Sequence, residues 1–87
     1  MSAGPAVVER ARELRLSGLA DNAAGRPTAA GRKLRTALRL LPSLDTPAPP
    51  DVESVRVACL LTLAVSEMLL GGLVAAVPRL EEAHRLA

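Results

Sequence analysis

Shifted by 46 residues, the chain matches itself. Arg10, Leu14, Gly25, Ala30, Leu34, Ala37, Arg39 and Leu40 recur as Arg56, Leu60, Gly71, Ala76, Leu80, Ala83, Arg85 and Leu86, and Gly18 meets Ala64. Nine identities in 32 aligned positions, Ala29 with Ala75 being the ninth, compare with about three expected by chance in a composition this rich in Ala, Leu and Arg. The economical source is one supersecondary unit used twice, which constrains the fold more than any single motif.

Each unit has the pattern of two antiparallel helices in close contact. In the first, Leu14 and Gly18 lie one turn apart, a turn follows at Gly25 and Arg26-Pro27-Thr28, and Ala30, Leu34, Ala37 and Leu41 stripe a second helix at three-to-four spacing. Gly18, Ala30 and Ala37 lack bulk and let two backbones approach, while Leu14, Leu34 and Leu38 supply apolar area. Pro42 then stops the helix, having no amide proton and disfavouring helix in the residue before it. The pattern predicts helices over 7–24, 28–41, 51–70 and 75–86, with Asp51 as an N-cap. The expectation is one all-α domain over 1–87: unit one at 7–42, a Pro-rich connector at 43–50 and unit two at 51–87.

At these residues the chain resembles the tetratricopeptide repeat, a helix pair of 34 residues. That family's Gly, Gly, Ala, aromatic-or-Leu, Ala, Pro signature is met by Gly18, Gly25, Ala30, Leu34, Ala37 and Pro42. The second copy carries Leu60, Leu63, Ala64, Gly71, Ala76, Leu80 and Ala83 in the same frame. Two departures stand out. Asp21 and Glu67 occupy a position where the family commonly has Tyr, and Pro78 falls early in the fourth helix, which the sequence accommodates only if that helix starts near Ala75. The resemblance implies two helix pairs as a fragment of an α-solenoid. The opening residues also look like the start of bacterial proteins that carry such repeats ahead of a caspase-like CHAT domain; no such domain is present, so peptidase activity is not carried over.

Composition limits what this fold can rest on. A chain of 87 residues buries only about 60 to 65% of its unfolded surface. Without Phe, Trp or Tyr, the core must come from Leu, Val and Ala. One cysteine excludes an internal disulfide and fits a reducing compartment. The first ten residues have neither a basic start nor an apolar run, so no secretion signal is expected and a cytoplasmic location is. Two repeats are fewer than solenoid stability usually requires, so the chain is expected to be a piece of a longer array or to complete its core by association, including as a homo-oligomer.

Charge divides unevenly along the sequence. Residues 1–42 carry eight basic and three acidic side chains, net +5, and residues 43–87 carry three and six, net −3. Arg32, Arg35 and Arg39 share one helix face, first of all a solvated outer face. Nucleic acid is not expected as a partner, because no aromatic is available for stacking and the second half is acidic. A helix-turn-helix DNA-binding regulator, with the second helix as reader, is the least favoured alternative.

Residues 57–77 pose the sharpest question, since Glu67 is their only charge and they are long enough to span a bilayer. Their ten Leu and Val residues contribute roughly −3 to −6 kcal/mol to insertion, and a central Glu opposes with about +2.5 to +3.5. Hydropathy alone leaves the sum near zero, so a small single-pass membrane protein is the main alternative. The soluble reading is preferred because Gly71-Gly72 falls where the repeat needs a turn. A helix so apolar should then be buried all round.

In the resembled family the first helix of each pair lines a concave peptide groove. The correspondence implies Arg12, Arg15, Leu19 and Asn22 from the first unit, and Ala58, Leu61, Val65 and Met68 from the second, as a basic rim beside an apolar floor. The expected partner is a protein or peptide segment, amphipathic with an acidic end; no small molecule is inferred. Other chemistry is scarce. Cys59 and His84 cannot make a structural zinc site, Glu81 and Glu82 are adjacent and cannot face each other, and no phosphate loop or nucleophile triad occurs. No enzyme, metal or cofactor is expected.

Overall fold

The computed structural model describes residues 5–42 and 50–87, and these are all-α. Four helices, α1 (Pro5–Ala23), α2 (Pro27–Leu40), α3 (Pro50–Gly71) and α4 (Leu73–Leu86), form two antiparallel pairs, α1 with α2 and α3 with α4. α3 packs against each of the other three. The expected connector lies outside the described residues apart from Pro50, which opens α3 and displaces Asp51 from the cap into an acidic first turn with Glu53.

Helix ends follow from local chemistry. The α1–α2 turn closes with the Gly25 amide donating to the Asn22 carbonyl at 3.2 Å and the Arg26 amide donating to the Asp21 carbonyl at 2.7 Å. That bond pair is a Schellman motif, and Gly25 takes its left-handed position at φ 77°. Pro27 then begins α2, where a missing amide proton costs nothing. At the other end Leu41 is extended (φ −77°, ψ 152°) immediately before Pro42, as the steric demand of a proline requires. The buried Arg56 of α3 donates from Nη2 to the Pro42 carbonyl and ties the chain leaving α2 to α3.

The long apolar run does not continue as one rod. Gly72 at φ 86°, ψ −174° lies in a region essentially closed to residues with a Cβ, and it reverses the chain between α3 and α4. α4 consequently starts at Leu73 and not near Ala75, which leaves Pro78 inside the helix with no amide to offer the Val74 carbonyl. The glycine, not the proline, sets where this helix begins.

The core is built from Val8, Ala11, Leu14, Leu34, Ala37, Leu41, Val52, Val55, Cys59 and Leu63, with Leu38 packed against it. Gly18 explains how α1 and α2 come together: a Cβ there would stand 3.2 Å from Leu34 Cγ and 3.4 Å from the Ala30 carbonyl oxygen. Positions related by 46 residues are buried alike, Leu14 with Leu60, Ala30 with Ala76 and Ala37 with Ala83. Leu34 is fully buried where its counterpart Leu80 is half-buried, because α3 covers α2 and no described helix covers α4 in the same way.

The same shift relates two ion pairs. Asp21 of α1 lies 2.7 Å from Lys33 of α2, and 46 residues later Glu67 of α3 lies 2.9 Å from Arg79 of α4. Each carboxylate is held by a second cation as well, Asp21 by Arg26 at 3.0 Å and Glu67 by Arg35 at 3.9 Å. Both carboxylates lie within the hairpins, and the cationic partner is what permits a charged group there. Hydrogen bonds from Lys33 and Arg26 hold the Asp21 carboxyl below its ordinary pKa of 3.8. A depressed carboxylate pKa stabilises the fold above the unfolded value, and that contribution is lost as pH falls through the lower folded value. Asp21→Asn should therefore melt below the parent at neutral pH, with the two melting curves converging in strong acid.

Candidate functional site

α1 and α3 run parallel, and beyond the shared core the side chains that join them are polar. Arg15 Nε donates to Thr62 Oγ1 at 3.3 Å, Asn22 Nδ2 donates to the Thr62 carbonyl at 3.3 Å, and Ser66 Oγ donates to Asn22 Oδ1 at 2.9 Å. Thr62 Oγ1 also donates back to the Ala58 carbonyl at 2.8 Å. Ser66 is 0% exposed and Thr62 is buried, so the few polar side chains in the middle of α3 point inward. Buried amides and hydroxyls are tolerated only when paired, and pairing fixes the register between the two helices.

Turning those residues inward sends leucines outward. Leu61, Val65 and Met68 are exposed at 45%, 38% and 40%, and their spacing of four and three residues puts them in one line along α3. Ser54 and Ala58 continue that line toward the start of the helix. There an open groove of about 280 Å³ is lined by Arg12, Arg15, Leu16, Ser54, Val55 and Ala58. Leu16 and Leu19 of α1 are exposed as well. The expectation that α3 would be covered on every side is thus corrected: the core takes the face bearing Val52, Val55, Cys59 and Leu63, the seam with α1 takes Thr62 and Ser66, and one apolar face remains bare.

The sequence-derived site residues divide between two roles. Leu19, Leu61, Val65 and Met68 are exposed, and Arg12 and Arg15 stand at the groove with Ala58. Arg12 pairs with Glu9 on its own helix, and Arg15 is half-buried on Thr62. Asn22 instead faces inward, with both ends of its amide occupied by α3. Leu16, Ser54 and Val55 line the groove but were not among the expected residues; Leu16 was accessible to the sequence as the position one turn beyond Arg12.

Reactive groups are few and sheltered. Cys59 is fully buried, and burial pushes its thiol up to about 11, well above the range of a nucleophilic cysteine. His84 is exposed in the last turn of α4, and no cluster of three His, Cys, Asp or Glu side chains suited to a metal occurs among the described residues. What this face offers is apolar area with two guanidinium groups at one end. Set against family models, curated proteins and solved structures, the chain finds no match.

Proposed function

We propose that this chain is a non-enzymatic interaction module of tetratricopeptide type, working in the cytoplasm, that docks an amphipathic segment of another protein along the α1–α3 face. The observation that carries the reading is the bare line Leu61–Val65–Met68 beside Leu16 and Leu19, ending in the groove flanked by Arg12 and Arg15. Apolar side chains at three-to-four spacing complement a helix that presents its own apolar stripe, and methionine adapts its shape to the partner. The two guanidinium groups favour an acidic residue at the partner's end lying over the groove.

Peptide-display selection on the full chain tests this. Enriched sequences should carry apolar residues at helical spacing next to Asp or Glu, and a Leu61→Gln, Val65→Gln, Met68→Gln variant should fail to retain them. Equal enrichment on the parent and the variant would overturn the proposal.

A bilayer-spanning α3 is the second reading, favoured by its 22 residues and by a mean hydropathy of 1.6 over an 18-residue window within them. Against it weigh the reversal at Gly72 and the burial of Glu67 between Arg79 and Arg35, neither of which suits a straight span through lipid. Extraction of the full chain without detergent separates the two.

A further inference from the structure

The two copies of the repeat differ in polarity where each reverses direction. Ala23, Ala24 and Arg26 of the first turn correspond to Leu69, Leu70 and Gly72 of the second, and residues 68–78 carry no charge at all. A turn that only reverses the chain has no packing need for leucines, and these two are 56% exposed, the same for each. They also project. Asn22 and Ser66 are hydrogen-bonded partners, yet α1 runs one residue past Asn22 whereas α3 runs five past Ser66, a difference of roughly 6 Å at 1.5 Å per residue.

The charges around this protrusion have one exposed sign. Arg26, Arg32, Lys33 and Arg79 belong to this end of the helices, with Arg35 at the middle of α2, and its carboxylates, Asp21 and Glu67, have side chains only 6% and 13% exposed and are each held by two of these five cations. Glu9, Glu13, Asp51, Glu53, Glu81 and Glu82 all fall in the opposite halves of their helices. The groove of about 280 Å³ likewise lies toward that other end. A projecting apolar tip at an end whose exposed charges are cations, with no groove residue in it, complements a soft anionic surface better than a folded partner.

We infer that the α3–α4 turn is a membrane-surface contact, with Leu69 and Leu70 entering the acyl boundary of an anionic bilayer while Arg26, Arg32 and Arg79 meet its headgroups. This is peripheral attachment by a helix-hairpin tip. It is separate from the groove and does not require α3 to span.

Sedimentation of the full chain with phosphatidylcholine vesicles, with and without phosphatidylserine, tests it. The phosphatidylserine vesicles should bind at least about tenfold more tightly, since cations near such a surface add about 1 kcal/mol each. Leu69→Ser with Leu70→Ser should reduce that binding at least about tenfold while leaving the circular dichroism unchanged. Arg32→Ser should weaken it, and the Leu61→Gln, Val65→Gln, Met68→Gln variant should retain it. Equal binding to both vesicles, undiminished binding by the leucine pair variant, or a self-association that this variant abolishes in the absence of vesicle binding would each overturn the inference.

Discussion

Leu34→Ala should destabilise the fold by about 3 kcal/mol or more, the upper part of the range for a buried leucine. Leu34 is 0% exposed and is among the largest fully buried side chains of the chain. The cost depends on whether neighbours can close the gap, and here they cannot. On the α1 side Leu34 meets Gly18, which has no side chain to move, and a Cβ at that position would stand only 3.4 Å from the Ala30 carbonyl oxygen. With no aromatic residue anywhere, nothing bulky can lean in. Total stability for a domain of this length is roughly 4–13 kcal/mol, so the loss is a large share of it. The measurement is thermal unfolding by far-ultraviolet circular dichroism, which needs no aromatic reporter. A fall in Tm of about 12 °C or more is expected. Leu40→Ala, at a position 39% exposed, should move it far less.

The two adjacent glycines should respond in opposite directions. Gly72→Val forces a Cβ-bearing, branched residue to φ 86°, ψ −174° and should cost about 1–3 kcal/mol. Nothing lies within 4 Å of a Cβ placed there, so the cost comes from the backbone and not from crowding. Gly71 is helical and exposed, and Gly71→Ala should stabilise by up to about 0.5–1 kcal/mol by raising helix propensity. Urea unfolding of the two variants beside the parent gives both signs in one experiment. Equal effects would mean that the chain does not reverse at Gly72.

The repeat frame made much of this fold legible. Small residues spaced for close helix contact, Gly18, Ala30, Ala37, Ala64, Ala76 and Ala83, are buried, because close backbone approach is a local steric demand that the sequence states directly. The turns at Gly25 and Gly71-Gly72 were legible for the same reason. What hydrophobic periodicity left open is the orientation of α3. Apolar side chains fall on nearly the whole circumference of its second half, so periodicity does not select an inward face, and the choice is made by Arg15 and Asn22 on another helix. The repeat correspondence put Leu61, Val65 and Met68 on the surface where periodicity could not, and their exposure goes with the partners that Thr62 and Ser66 find on α1.

Asp21 and Glu67 show a second limit. Each stands out in the sequence as a carboxylate on the inner side of a hairpin, but the cation that answers it lies twelve residues on, in Lys33 and in Arg79. That spacing joins two helices of a hairpin and so is invisible to any single-helix pattern. Pro78 marks the third limit, since the start of α4 is governed by the conformational freedom of Gly72 six residues earlier.

Equilibrium unfolding of two variants tests most directly whether α3 presents its apolar line to solvent and its polar residues to the fold. Leu61→Gln, Val65→Gln and Met68→Gln combined should keep the stability of the parent within about 0.5 kcal/mol per site, as exposed substitutions do. Leu63→Gln, at a position 1% exposed, should cost several times more, because the amide loses its water without gaining a partner. A triple variant that unfolds while Leu63→Gln remains stable would mean that α3 is rotated the other way, and the docking face would not exist.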